Sequence, residues 1–323
     1  MFHTSTQREH WTFSSKDDLF TLRERVNENY RSKMSSRLKL GPSQWLAPDE
    51  ELKYIKYYEG RLQSFCNHFK VPVKNIFCLP PTVKATSIIY FKRFYLRTSA
   101  MEYNPRFVAF ACLWLATKVE EFNVSITEFV ENLRPKDQEE LTLFEDLILS
   151  LELPIIHALK YHLTIHNPYR PLEGFLIDLR TRCEGLQNSD ILRQNAYAFL
   201  EKVFRTDVPL LYPPSVIAIA ACRQSASENK LSIDQYILGK LFPESKESPE
   251  FEHFKSSIKK IRSTAKKSDK EVPPPEVVGQ LKAKWERCRN PDLTDEKLVQ
   301  YIDDDEDAAP VVETISMDDL VDF

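Results

Sequence analysis

Six glycines (Gly41, Gly60, Gly174, Gly185, Gly239 and Gly279) in 323 residues constrain this chain more than any other feature. Hairpin turns and phosphate-cradling loops rely on glycine for positive φ or close backbone approach. Glycines so few and so widely spaced leave helices as the building material, joined by turns that twenty prolines mark. The predicted fold class is all-α.

Capping signals and apolar spacing divide the chain into helices. Residues 12–38 read as a first helix, with N-cap oxygens at Thr12, Ser14 and Ser15 and a stop at Gly41-Pro42. A second runs from Asp49 to Phe69, and a third begins at Pro80-Pro81 and passes through Leu96. Asn104-Pro105 opens a fourth that continues to Lys118; its first ten positions are apolar nearly all round, which predicts the centre of a bundle. Ser125 with Glu128 has capping-box spacing, and a further helix is predicted from about Glu139 to Leu163. That makes five helices in the first bundle.

The second half repeats this pattern. Setting Pro105 on Pro214 aligns residues 106–112 with 215–221, and Ser125–Phe129 then resembles Ser232–Tyr236. The chain therefore divides into an N-terminal helix and arm (1–47), two five-helix bundles (48–165 and 166–270), a C-terminal helix (271–290) and a tail (291–323). The tail holds twelve acidic residues and one lysine, a net of −11 within a whole-chain charge of −4, so the body carries +7. A mildly basic body of that kind lacks the dense basic face of a dedicated DNA binder. The tail is predicted to be disordered from about Asp303.

Several chemistries find no support. The opening residues 1–11 have no apolar stretch for a secretory signal, and the longest apolar run, Phe107–Ala116, is too short to span a bilayer. Six cysteines form no CxxC pair, which predicts reduced thiols. No phosphate-loop, dinucleotide, nucleophile-elbow or zinc-protease motif occurs. His157, His162 and His166 could suggest a metal, but no cysteine or paired carboxylate stands near them in sequence, so packing or capping roles are expected. Lys259, Lys260, Lys266 and Lys267 could form a localisation patch, against which a solvated helix face is the simpler reading. No catalytic residue, metal or cofactor is predicted. Lys118 and Glu152 stand out as charges at the ends of two helices of one bundle: either they pair with each other, or they hold a partner's backbone.

The segment Ala116-Thr-Lys118-Val-Glu120-Glu121, closing an apolar helix, resembles the signature of the cyclin box, and Phe91–Leu96 resembles the cyclin helix before it. The duplicated five-helix bundle resembles the cyclin architecture, giving two tandem cyclin boxes flanked by an N-terminal and a C-terminal helix. His10–Ser15, Met101–Pro105, Glu121–Ser125, His166–Pro171, Glu173–Leu179 and Asp318–Val321 resemble one branch of that family, and the resemblance covers essentially the whole chain. It implies a nuclear regulatory subunit, not an enzyme. The implied partners are cyclin-dependent kinase 7 and the RING-finger assembly factor of the CDK-activating kinase, with the TFIIH core reached through that complex and no direct nucleic acid or membrane contact. The substrates implied are other kinases' activation loops and the C-terminal repeats of RNA polymerase II. The kinase-binding residues implied are Lys118 and Glu152 as polar anchors, with Val119, Phe122, Ile156, Tyr161 and Leu163 supplying buried area.

Two departures from the family pattern bear on this. Pro154 is expected to kink the helix that carries Glu152. Tyr54–Tyr58 stands where cell-cycle cyclins carry a substrate-docking patch, so no recruitment through such a patch is expected. The stretch Val71–Leu79 is longer than the family pattern. A cyclin C-like transcriptional cyclin shares the Pro-Tyr-Arg-Pro linker, but the His10–Ser15 opening and the acidic tail speak against it. A TFIIB-like DNA-binding factor would need a zinc ribbon, for which there are no cysteine pairs.

Overall fold

A computed structural model describes residues 2–71, 78–182, 189–231, 233, 236–237, 248–268 and 272–292. The described secondary structure is helical, as the glycine count implies. In chain order the α-helices are α1 (Thr6–Trp11), α2 (Lys16–Leu38), α3 (Pro48–His68), α4 (Pro81–Phe94), α5 (Pro105–Val119), α6 (Ile126–Glu131) and α7 (Gln138–Ala158). They continue with α8 (Tyr169–Arg182), α9 (Ser189–Phe204), α10 (Val208–Leu211), α11 (Pro214–Glu228), α12 (Pro249–Ala265) and α13 (Pro275–Cys288).

The duplication shows in the backbone. α5 and α11 each start at the aligned proline and run fifteen residues. α5 packs among α3, α4 and α7, and α11 among α8, α9 and α12. Each ends in a Schellman motif: Phe122 N–H donates to Thr117 O (2.8 Å), and Leu231 N–H donates to Ala226 O (2.8 Å). Residues 122 and 231 keep the offset of the two prolines. The left-handed residue each motif needs is Glu121 (φ 56°) in the first half and Lys230 (φ 58°) in the second. Lys39, at the end of α2, also takes positive φ. A chain this poor in glycine closes helices with charged residues, at about 1 kcal/mol each. Of the predicted second capping signal, Ser232, Asp234 and Gln235 lie outside the described residues, as does the tail from residue 293. So does most of the long stretch between Val71 and Leu79.

Three helix predictions are corrected. The helix expected over 12–38 is α2, which starts only at Lys16 under a capping box between Ser15 and Asp18; a separate helix, α1, precedes it and ends at Trp11. Phe13 N–H donates to Leu210 O (2.8 Å), which holds the intervening chain extended. The helix expected through Leu96 stops at Phe94. The helix expected to reach Leu163 stops at Ala158, after which Lys160 and Tyr161 both take positive φ (53° and 61°). Pro154 lies inside α7 without ending it.

The centre of the first half is shared by α5 and α4. Every residue from Val83 to Leu96 is buried, charged ones included. α4 faces second-half residues through those charges: Lys84 pairs with Glu201 of α9 (2.8 Å), and Lys92 lies 4.0 Å from Asp207. The two flanking helices close on α3. Asn27 of α2 donates to Glu51 (2.6 Å), Trp285 of α13 donates its indole N–H to Ala100 O (2.7 Å), and Lys284 pairs with Glu50 (2.6 Å).

Candidate functional site

Lys118 lies in the last turn of α5, and the surrounding signature splits its residues between inside and outside. Thr117 is buried and donates to Trp114 O (2.7 Å). Glu120 turns inward and accepts from the Thr86 hydroxyl (2.6 Å), which also accepts from Asn167 of the inter-bundle linker (3.1 Å). Lys118 points out, with its side chain 46% exposed, and Glu121 is exposed as well. Its ammonium lies 5.6 Å from the Trp114 ring centroid and pairs with Glu152 of α7.

The structure therefore brings the two predicted anchors together as an ion pair on the surface. Val119 ends α5, and Phe122 follows in the Schellman turn; both are half-buried. Ile156 lies one turn beyond Glu152, also half-buried. Tyr161 is 65% exposed on the left-handed turn that ends α7. Leu163 is half-buried, and its carbonyl accepts from the Tyr90 hydroxyl (2.5 Å), which ties the segment after α7 to α4.

Sequence reasoning missed Leu149 and Leu153, which are 44% and 66% exposed on α7. α7 carries two apolar stripes. Phe144, Ile148, Ile155 and Leu159 form the buried one, and Leu149, Leu153 and Ile156 stand beside it at helical spacing. The sequence carries only a surplus: α7 has more apolar residues than one packed face can bury, with nothing to say which of them face out. Large apolar side chains left on a surface around a charged pair mark an interaction site. The equivalent of Lys118 in the second half, at the same offset, is Ser227, so the duplicated helix lacks this anchor.

The N-terminal helix α1 docks on the body of the chain. Trp11 donates its indole N–H to His162 Nδ1 (3.1 Å), and Gln7 exchanges hydrogen bonds with the His166 backbone. His10 stacks on His162 with ring centroids 4.8 Å apart. His162 and His166 thus serve packing, and His162 stands between Tyr161 and Leu163.

Burial, with help from His10, Arg93 and Lys160, holds the His162 imidazole below its ordinary value of 6.5, and burial also lowers His166. Both rings bind fewer protons in the folded chain than in the unfolded one. Docking of α1 is therefore fully present above that ordinary value and weakens as pH falls through it toward the lowered one. Protonation would also turn His162 Nδ1 into a donor facing the Trp11 N–H. Trypsin cleavage at Arg8 is expected to be faster at about pH 5.5 than at about pH 7.5, relative to an unfolded peptide control. Equal protection at both would show that the histidines do not govern docking.

Comparison with known proteins places this architecture. The family description "Cyclin, N-terminal domain" matches residues 57–164, and "Cyclin C-terminal domain" matches 167–266. The chain is 40% identical to cyclin-H of Xenopus laevis over 298 residues, covering 91% of this chain and 88% of that one. It is 31% identical to cyclin mcs2 of Schizosaccharomyces pombe over 257 residues, covering 75% and 74%. A chain in the CAK complex of Chaetomium thermophilum shares the fold with a TM-score of 0.75 at 22% identity, covering 98% of this chain and 97% of that one. A chain of the yeast TFIIK (Kin28/Ccl1/Tfb3) complex does so with a TM-score of 0.58 at 24% identity, covering 81% and 99%. With that kinship along nearly its full length, and with both cyclin domains matched in tandem, the chain belongs to the cyclin family.

Proposed function

We propose that this cyclin is a regulatory subunit, without catalysis of its own, that binds and activates cyclin-dependent kinase 7 in the nucleus. It would act within the CDK-activating kinase, beside the RING-finger assembly factor, and within TFIIH. There it would support phosphorylation of other cyclin-dependent kinases and of the RNA polymerase II C-terminal domain. The observation that carries the reading is the exposed Lys118–Glu152 pair, set among Leu149, Leu153 and Tyr161, in a chain 40% identical to a cyclin-H.

The mechanism follows from what a kinase lacks. Its active form needs a β3 lysine paired with a glutamate of helix αC and an ordered activation segment. A cyclin surface that fits only the inward position of αC shifts that equilibrium. Moving it from 1:99 to 99:1 takes about 5.5 kcal/mol of differential binding. Burial of Leu153, Tyr161 and their apolar neighbours would supply the area-dependent part. Lys118 and Glu152 would fix the register by exchanging their mutual pairing for backbone groups of the kinase. Because their pair is surface-exposed, giving it up costs no more than about 1 kcal/mol.

A binding titration with cyclin-dependent kinase 7 tests this. Lys118→Ala/Glu152→Ala is expected to weaken binding by about 2 kcal/mol or more, roughly thirtyfold, and to lose activation in step. Its unfolding transition should stay near that of the parent. A folded double variant that binds as well as the parent would remove these residues from the interface. Failure of the parent to bind would redirect the search to other transcriptional kinases.

A further inference from the structure

Helix α12 carries a groove that the kinase-facing surface does not use. Phe251, Phe254 and Ile258 give it an apolar floor, and it encloses about 650 Å³. Five cations and no carboxylate are found among the described residues that line it. Four of these cations, Lys255, Lys259, Arg262 and Lys266, fall at helical spacing along α12 and form one stripe. Lys255 and Lys266, the latter capping the helix, are eleven positions apart, about 16 Å at helical rise.

We propose that this groove docks an acidic amphipathic helix supplied by a partner protein. The occupant is read from complementarity of charge and length. A row of cations about three turns long beside an apolar floor matches a helix with carboxylates every third or fourth residue and large apolar side chains between them. Two of the four cations already have partners: Lys255 pairs with Glu252 (2.7 Å), and Arg262 donates to Gln224 (2.8 Å). Lys259 and Lys266 are exposed on the rim, and the proposal rests on them. Nucleic acid is the less favoured occupant. Phe251 is buried and the Lys255 ammonium lies 4.5 Å over its ring, so of the two aromatic rings only Phe254 is left to stack on a base.

The test is fluorescence anisotropy of the intact chain with a labelled synthetic peptide of roughly 16 residues, glutamate at every third or fourth position and leucine or phenylalanine between. Binding is expected, with Lys259→Glu/Lys266→Glu weakening it at least about tenfold, while Lys16→Glu/Lys202→Glu leaves it unchanged. All four lysines are exposed, so the variants should fold, which circular dichroism checks. Absence of binding, or full affinity in Lys259→Glu/Lys266→Glu, overturns the proposal. So does equal binding of a peptide of the same composition with its apolar residues scattered, which reduces the groove to a nonspecific charge patch. Tighter binding of a single-stranded DNA of similar length would overturn it in favour of nucleic acid.

Discussion

Lys92→Met is expected to lose about 3–5 kcal/mol of unfolding free energy in denaturant titration. The Lys92 ammonium is 2% exposed and pairs with Glu59 of α3, itself 6% exposed, at 2.6 Å. Asp207 lies 4.0 Å from the same ammonium and takes two bonds from Arg23 of α2 (2.9 Å each). Burial pushes the Asp207 carboxyl up, but Arg23, Lys92 and Lys56 outweigh it and hold it well below the usual carboxylate range. Burial pushes the Glu59 carboxyl up as well, and Lys92 opposes that rise. Removing Lys92 would leave Glu59 buried without its cation, the costly half of breaking a buried pair. The double variant Lys92→Met/Glu59→Leu should recover most of the loss, because it removes the uncompensated charge as well. A loss below about 1 kcal/mol in the single variant would mean that water reaches Glu59 and that the network is no constraint between α3, α4 and the Asp207 turn.

The second large effect is expected at Trp11, where Trp11→Ala should cost about 3–5 kcal/mol. The side chain is 1% exposed, with the Arg93 guanidinium 4.9 Å and that of Arg97 5.5 Å from its ring centroid. Arg93 is itself 1% exposed, and burial pulls it down to about 9. The indole face compensates a cation that has little other company: Arg93 donates to His162 O at 3.3 Å, and its Nε has no acceptor among the described residues. Truncation would open a cavity, strand that charge and free α1. The expected readouts are a lower unfolding midpoint and rapid trypsin cleavage at Arg8. Trp11→Phe keeps an aromatic face but gives up the bond to His162 and part of the buried indole volume, so it should cost less than Trp11→Ala, about 1–3 kcal/mol. If Trp11→Ala leaves α1 protected, the Gln7–His166 exchange must hold the helix by itself.

Pro105 and Pro214, in nearly repeated apolar contexts, were readable because a helix start leaves a local chemical mark. The ends were harder to read. In most proteins a glycine at C′ announces a stop, and here Glu121, Lys160 and Lys230 fill that position with no sequence signature. Hence the helix expected to reach Leu163 ends five residues earlier, at Ala158. Its real end is set by distant partners, with Tyr90 holding Leu163 and Trp11 holding His162. Lys118 and Glu152, the anchors of the proposed kinase-facing set, were legible through resemblance to the cyclin signature. Leu149 and Leu153 were not, because outward and inward leucines on one helix look alike until a packing partner claims one stripe.

The all-helical class, the internal repeat and the two charges at the rim of the first bundle can be read from the chain alone. These rest on short-range rules: backbone freedom, capping, and apolar periodicity within a few turns. The folded chain was needed to place α4 between residues of the two halves, with Lys84, Lys92 and Arg93 buried inside. It alone showed that α1 braces the linker after α7 and that Lys118 and Glu152 meet. A charge can be buried only where a partner is waiting, and those partners, Glu201, Glu59 and the Trp11 face, come from parts of the chain 117, 33 and 82 residues away. No local pattern records such distances, because what fixes them is the packing free energy of the whole fold.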